Sequence, residues 1–145
     1  MKKKILSIGI ISMFLLVGLT AIPAFGKVNY DPDPEVKITA PRSAFFYLFG
    51  NRVGALNLKI PRIIGYVGID VRTDKDFEYV EIYIDEELKE TLDSPLIEED
   101  EYDIYQWIWR EPSFGRSTIK AVAYVNAENS NFDEQEVYRY SFGIV

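Results

Sequence analysis

The chain has 145 residues, which is enough for one domain of common size but not for two. Hydrophobic residues make up 48% and aromatic residues 14% of the chain, so its composition is too apolar for a disordered protein and favours β-strands. The formal net charge of −7 argues against nucleic acid as a partner, because an acidic surface repels a phosphate backbone. The absence of cysteine and histidine excludes disulfides, thiolate nucleophiles and zinc sites built on those ligands.

Residues 1–26 have the pattern of a secretory leader. Three lysines follow the initial methionine, and the rest of the segment is uncharged and almost wholly apolar. Ala24 and Gly26 supply the small residues of a cleavage site before Lys27, which predicts a signal peptide. The apolar stretch also approaches the roughly 20 residues that span a bilayer, so a retained membrane-anchor helix is the alternative. Either way, the basic flank predicts that the remaining chain is extracytoplasmic, secreted or anchored at the cell surface. Export without cysteine is typical of a prokaryotic surface.

Residues 27–35 contain two prolines and three acidic side chains, a composition that predicts a stiff, solvated linker. Residues 36–145 are predicted to form one all-β domain, because short alternating apolar runs are separated there by turn residues. Period two places each run on one face of its strand. The clearest runs are Val67, Ile69 and Val71; Val80, Ile82 and Ile84; Tyr105, Trp107 and Trp109; and Ile119, Ala121 and Ala123.

Polar segments predict where the chain turns between these strands. Residues 85–87 predict a hairpin that leads into the run at 88–91, and residues 112–115 predict a second turn. Residues 126–133 predict a polar loop before a tyrosine-rich last strand at 137–142. A parallel α/β fold would need helical crossovers of a dozen or more residues, and the pattern contains none.

Residues 78–129 resemble the bacterial and archaeal immunoglobulin-like domains that occur as repeats in surface and secreted proteins. The matching stretches are VEIYID at 80–85, LKET at 88–91, YQWIW at 105–109, FGRSTIKAVAY at 114–124, and Asn129. The opening ITAP at 38–41 also resembles the usual first strand of the family. The resemblance implies an immunoglobulin-like antiparallel β-sandwich of about seven or eight strands. It implies no specific function, because this sandwich is a scaffold that carries many functions.

The two indole side chains, of Trp107 and Trp109, can be interpreted in two ways. Flat indole rings on a surface stack against sugars, which would make this strand a carbohydrate platform. Large aromatic side chains also fill the space between two sheets, and the spacing puts both indoles on the same strand face as Tyr105. The second interpretation predicts that all three residues belong to the core.

A run of acidic residues precedes the tryptophan strand and is a weak candidate for a metal site. Its members are Glu98, Glu99, Asp100, Glu101 and Asp103. Carboxylate oxygens suit Ca²⁺, which takes six to eight oxygen ligands. The run lacks the glycine and the alternating acidic positions of an EF-hand loop, so it predicts a solvated acidic surface in preference to a metal site. No cofactor is predicted.

Four tyrosines are candidates for an interaction face: Tyr83, Tyr124, Tyr138 and Tyr140. Exposed tyrosine is frequent in protein interfaces, but it is also an ordinary strand residue whose hydroxyl tolerates water. Residues 45–49 and 59–64 are apolar enough to form a partner surface, although a core needs such residues as well.

The sequence therefore predicts a non-catalytic extracytoplasmic module for surface structure, adhesion or protein interaction, with a protein or glycan partner at the cell surface. A Ca²⁺- or carbohydrate-binding sandwich is the alternative. A small secreted hydrolase is the remote alternative, because two carboxylates across a cleft would be required and the sequence singles out no such pair. Contact with a membrane is expected only through the leader, if it is not cleaved.

Overall fold

The computed structural model describes residues 35–55, 57 and 59–143. The predicted leader and nearly all of the predicted linker lie outside these residues. Within them the chain forms eleven β-strands and no helix, which confirms the prediction of an all-β domain for this part of the chain. The strands are β1 (Val36–Ala40), β2 (Phe45–Leu48), β3 (Asn51–Ala55), β4 (Arg62–Ile64), β5 (Val67–Asp74), β6 (Tyr79–Ile84), β7 (Glu87–Leu92), β8 (Ile97–Glu98), β9 (Tyr102–Trp109), β10 (Ser113–Asn126) and β11 (Asn129–Ser141).

The strands form two sheets. One contains four strands in the order β1-β5-β9-β8, and the other contains seven in the order β3-β2-β4-β11-β10-β6-β7. The strands of an immunoglobulin-like sandwich are lettered A to G in chain order, with C′ after C. Strands A, B, E and D form one sheet, and strands C′, C, F and G form the other. Eight strands of this chain have the same order. In the described residues, β1, β5, β9 and β8 take the first set of places, and β7, β6, β10 and β11 take the second. The predicted immunoglobulin-like sandwich is confirmed by this strand order.

The other three strands form an insertion between β1 and β5. β2 and β3 make an antiparallel hairpin, and β4 pairs in parallel with both β2 and β11. The structure thus adds two short parallel ladders to the predicted antiparallel sandwich. The insertion covers the edge of β11, which would otherwise present unpaired backbone groups to solvent.

The core takes its side chains from alternate positions of both sheets, as the period-two runs predict. From the four-stranded sheet, Val67, Ile69, Val71, Tyr105 and Trp109 are at most 1% exposed. From the seven-stranded sheet, Val80, Ile82, Ile119, Ala121, Ala123 and Val137 are fully buried. The tryptophan strand β9 and the Ile119 strand β10 therefore face each other from opposite sheets.

The hairpin predicted at residues 85–87 is present between β6 and β7. Asp85 and Glu86 adopt positive φ angles of 50° and 71°, as a two-residue type I′ turn requires. The carboxylate of Asp85 accepts a hydrogen bond from the N–H of Thr118 at 3.0 Å, and the N–H of Asp85 donates to the Thr118 carbonyl at 3.0 Å. These two hydrogen bonds fix the turn against β10.

Two other predicted turns are shorter than the sequence suggests. In place of a loop over residues 126–133, β10 continues to Asn126 and β11 begins at Asn129. The side-chain oxygen of Asn126 accepts hydrogen bonds from the N–H groups of Glu128 and Asn129 at 2.9 and 3.0 Å, so one polar side chain closes a tight turn. The turn predicted at 112–115 is also shorter, because β10 already begins at Ser113.

The packing predicts that Ile119→Ala lowers the free energy of unfolding by about 2–5 kcal/mol, since it leaves a cavity between the sheets. Lys120→Ala, at the next position on the outer face, is the matched control and should cost less than about 1 kcal/mol. Urea unfolding followed by tryptophan fluorescence measures both values. Equal losses for the two variants would contradict the assignment of faces on β10.

Candidate interaction surface

An apolar row crosses four strands on the outer face of the seven-stranded sheet. Leu48, Ile64, Tyr140 and Phe114 lie side by side in register on β2, β4, β11 and β10. Their side chains point away from the core, because the preceding residue in β2, β4 and β11 is buried in each case. The four side chains are between 37% and 63% exposed. Four neighbouring strands therefore present apolar groups to solvent at the same place.

Two further phenylalanines extend this row into a groove of about 430 Å³, hereafter the apolar groove. The groove is lined by Phe49, Ile64, Gly65, Phe114, Tyr140, Ser141 and Phe142. The ring of Phe142 meets the ring of Phe114 edge-on, with centroids 5.3 Å apart and an interplanar angle of 70°. Phe142 is 81% exposed. The lining contains no Lys, Arg, Asp or Glu, so this surface suits an apolar ligand.

Phe49 is held at the groove by the turn between β2 and β3. Its φ of 46° lies in the left-handed region that bulky side chains rarely adopt, and Gly50 follows with a φ of 82°. The N–H of Phe49 donates to the carbonyl of Ile64 at 2.9 Å. Gly65, with a φ of 88°, leaves room for the ring, because a Cβ at this position would collide with it. Backbone strain thus accompanies the placement of an exposed aromatic ring.

Arg139 precedes Tyr140 of the groove in β11 and is fully buried, on the opposite face of the strand. Its Nε donates to the carbonyl of Gly65 at 2.9 Å, and its terminal nitrogens donate to the carbonyls of Glu111 and Trp109 at 2.7 and 2.9 Å. A fourth hydrogen bond, of 2.8 Å, reaches the hydroxyl of Ser113. The guanidinium also lies over the indole of Trp109, at 4.2 Å from the ring centroid.

The acceptors of Arg139 belong to two connections that border the apolar groove. Gly65 lies in the β4–β5 connection, whereas Trp109, Glu111 and Ser113 span the β9–β10 connection. Burial lowers the pKa of Arg139 to about 10, which leaves the guanidinium charged at neutral pH. A planar guanidinium has five donors in fixed directions and can serve both connections at once. Arg139 therefore fixes the positions of segments that carry the groove walls.

The structure separates the four tyrosines that the sequence suggested as an interaction face. Tyr83 and Tyr124 share a recess near the far end of β10. Tyr138 lies beneath the guanidinium of Arg62, which is 4.2 Å from its ring centroid. Tyr140 alone of the four lines the apolar groove.

The recess around Tyr124 differs from the groove because polar and charged groups line it. Its residues are Tyr83, Glu86, Lys120, Val122, Tyr124, Ser130 and Phe132. The ring of Tyr124 stacks on Tyr79 with centroids 4.8 Å apart. Burial, followed by a hydrogen bond with Glu81, raises the pKa of Tyr124 to about 12, so this phenol stays neutral at physiological pH. The hydroxyl of Tyr83 donates to Glu81 at 2.8 Å. Both tyrosines are thus engaged within the domain.

The acidic residues suggested as a weak metal site do not form one cluster. Asp103 is buried and pairs with the ammonium of Lys75 at 2.6 Å, whereas Glu98, Glu99, Asp100 and Glu101 are exposed. Across the part of the chain that the structure describes, no group of three or more acidic side chains is placed to hold a metal ion. The ion pair gives Asp103 a structural partner.

The tryptophan strand contributes its indoles to the interior. Trp109 is 1% exposed, and Trp107 is partly buried and packs against the core. The enclosed Trp109 ring offers no flat face to a sugar. The prediction that these side chains fill the space between the sheets is confirmed for Trp109 and Tyr105.

Sequence reasoning found part of the groove and missed the rest. Residues 45–49 and 59–64, suggested as a partner surface, supply Phe49 and Ile64. Phe114 and Phe142 were not singled out, because their proximity depends on the pairing of β10 with β11. Arg139 was also missed, although it lies two residues after the buried Val137 and therefore on the same face of β11.

Among residues 35–55, 57 and 59–143, no helix is long and apolar enough to cross a membrane.

Comparisons with known proteins give likenesses of fold. No family model and no curated protein matches the chain. The fibronectin(III)-like modules of CbhA from Clostridium thermocellum are similar with a TM-score of 0.46 and 18% identity, over 74% of this chain and 98% of that one. An engineered protein is similar with a TM-score of 0.47 and 19% identity, over 83% of this chain and 21% of that one, so this chain spans about a fifth of its length. Both scores are below 0.5, and the fold assignment rests on the strand order described above.

The contacts of Arg139 predict that Arg139→Met lowers the free energy of unfolding by about 3 kcal/mol, because three backbone carbonyls lose a donor inside the protein. Arg116→Met on β10 is the matched control, since Arg116 forms an exposed ion pair with Glu136. Its loss should cost at most about 1 kcal/mol. Denaturant unfolding of the two variants measures the difference. A loss below about 1 kcal/mol for Arg139→Met would contradict the role assigned to the buried guanidinium.

Proposed function

We propose that this protein is a non-catalytic extracytoplasmic interaction module that holds a protein partner at the cell surface through the apolar groove. The observation that carries the proposal is the groove itself, an exposed aromatic surface built by three strands of one sheet and by the turn that follows a fourth. Contiguous exposed apolar patches of this kind mark sites where a partner covers the surface.

The composition of the groove favours an apolar segment of a protein as the occupant. Phenylalanine and tyrosine are enriched in the cores of protein interfaces, whereas charged residues are depleted there. A glycan site needs several polar groups to orient hydroxyls, and the groove lining offers only the hydroxyls of Tyr140 and Ser141. An adhesion or surface-structure role follows if the partner is itself fixed to a surface.

The rigidity of the groove walls supports the same proposal. Arg139 ties the β4–β5 and β9–β10 connections together beneath the groove, and the strained turn at Phe49 fixes one wall. A binding surface that is already in its bound shape loses less entropy on association than a mobile one does. The domain therefore presents a preformed site whose function is complementarity of shape, with no covalent step.

The location is part of the proposal and is supported by residues 1–26, whose basic start and apolar stretch have the pattern of a leader. N-terminal sequencing of the protein from its native cells should give Lys27 as the first residue. Ala24→Arg, which removes the small residue at the −3 position, should retain the leader. Protection of the domain from protease added to intact cells would contradict a location at the cell surface.

The groove is tested by placing benzoylphenylalanine at position 142 in the full chain in its native cells. Irradiation should give an adduct with one defined protein, and Phe114→Ser in the same chain should reduce that adduct at least tenfold, because a buried phenylalanine contributes about 1.5–3 kcal/mol.

The matched control places the same photoreactive residue at position 132, which carries an exposed phenylalanine on the same sheet face outside the groove. It should give little of that adduct. Equal adducts at positions 142 and 132, or no loss with Phe114→Ser, would exclude the groove as the contact surface.

A further inference from the structure

The charges of the chain are segregated along the sequence. Residues 36–69 contain five basic residues and no acidic one, although the whole chain has a net charge of −7. The basic residues are Lys37, Arg42, Arg52, Lys59 and Arg62. Residues 85–103 contain ten acidic residues and a single lysine. Such a separation is preserved in the folded domain only if the two segments lie on different sides.

The topology places the two segments on opposite sides of the sandwich. In the seven-stranded sheet, the basic segment supplies β3, β2 and β4 at one end, and the acidic segment supplies β7 at the other end. Contacts between the sheets put β1 over β11 and β10, and put β9 over β7. Since β8 is next to β9 at the end of its sheet, it lies on the same side as β7. The basic segment therefore lies on one side of the domain, hereafter the basic side, and the acidic segment lies on the other.

The basic side is not neutralised within the domain. None of the four ion pairs in the described residues includes a basic residue of 36–69. Two of its arginines lie over aromatic rings: Arg52 is 4.5 Å from the ring centroid of Phe45, and Arg62 covers Tyr138. A guanidinium that stacks on a ring keeps its charge and its donors available to an anionic group.

Among the strands that the structure describes, the last one on each side has a free edge. β3 is the last strand at the basic end, and all five of its residues are exposed. It lacks the acidic residues, lysines and prolines with which proteins usually protect an edge from pairing. β7 is the last strand at the acidic end, where Glu87 and Glu90 are exposed. Each strand can accept another strand alongside it.

We infer that β3 of one molecule pairs with β7 of a second copy of this chain, so that the molecules associate head to tail and their seven-stranded sheets join edge to edge. The two edges are complementary in charge, which favours their encounter and disfavours pairing of like edges. A head-to-tail contact joins two different surfaces, so an associated pair still has an unpaired β3 at one end and an unpaired β7 at the other. Further molecules can therefore add at both ends to form a filament. The inference goes beyond the proposed function, because β3 and β7 contribute no residue to the apolar groove.

A second copy fits the basic side better than an anionic polymer does. The same chain supplies an acidic strand, β7, that could pair with the basic side. Like β3, β7 is the terminal strand of its sheet and is exposed. The net negative charge of the chain opposes a close approach to polyanions. A self-complementary pair of edges needs no further partner.

The chain has no cysteine, so engineered thiols report the contact without background. Asn51→Cys in β3 and Thr91→Cys in β7, both at exposed positions that leave the charges of the two edges in place, are made in separate full chains and treated with a short bis-maleimide cross-linker. The mixture of the two variants should give a covalent dimer, whereas each variant alone should remain monomeric. A chain that carries both substitutions should give a ladder of multimers. Dimers of Asn51→Cys with itself, or no cross-link in the mixture, would overturn the inference.

Charge exchange tests the cause of the association. The cross-link in the mixture should decrease at least tenfold when Arg52→Glu is added to the Asn51→Cys chain, and Glu90→Arg in the Thr91→Cys chain should restore it. Glu128→Cys, in an exposed turn between β10 and β11, is the matched control and should not cross-link with Asn51→Cys. Phe114→Ser should leave the ladder unchanged, which separates this result from a failure of the groove. If Arg52→Glu instead abolishes binding to phosphatidylglycerol vesicles while no ladder forms, the basic side serves an anionic membrane and the inference is wrong.

Discussion

The buried guanidinium of Arg139 is the interaction on which the groove end of this domain depends. A charged group inside a protein is costly unless each of its donors finds a partner. Arg139 uses four of its five donors in hydrogen bonds and stacks on the face of an indole, and no carboxylate pairs with it in the described residues. Its acceptors are mostly backbone carbonyls of two connections, which are also held by the ion pair between Lys89 and Glu111 and by the hydrogen bond from the N–H of Gly65 to the carbonyl of Tyr140. The hydrogen bonds of Arg139 offset the cost of burying its charge, and they also order those connections.

The apolar groove follows from this arrangement. The β4–β5 connection carries Gly65, against which the ring of Phe49 lies, and the β9–β10 connection leads directly into Phe114. Both walls are thus fixed from below by one side chain, while the in-register ladders of β2, β4, β11 and β10 supply the floor. An exposed aromatic surface on such a rigid support is suited to binding a partner without rearrangement. The segregated charges at the two sheet edges concern different strands and a different contact.

The sequence predicts the framework of the domain because the framework depends on local alternation. The runs that begin at Val67, Val80, Tyr105 and Ile119 predict that one face of each strand lies in the core. In the structure, all four of these residues are buried in the core. The short turn at Asn126 was not predicted, because a polar segment looks the same whether it forms a loop or the end of a long hairpin. The pairing of residues far apart in the chain decides between these outcomes.

The candidate site was harder to predict for the same reason. Phe114 and Tyr140 meet only because β10 and β11 pair in one particular register, and Ile64 joins them only because an inserted strand runs parallel to β11. The sequence indicates Tyr140 as one of four candidate interface tyrosines, whereas the other three lie outside the apolar groove. The inward position of Arg139 follows from its spacing from Val137, but a charged residue in a strand is ordinarily assigned to the solvent side.

The most direct test of this account is NMR spectroscopy of the Arg139 guanidinium in the folded protein. If its donors are fixed on the Gly65, Trp109, Glu111 and Ser113 oxygens, its terminal N–H protons should be individually resolved and exchange slowly with water. A single averaged resonance that exchanges as fast as that of the exposed Arg116 would show that the guanidinium is not held in the interior, and would contradict the account.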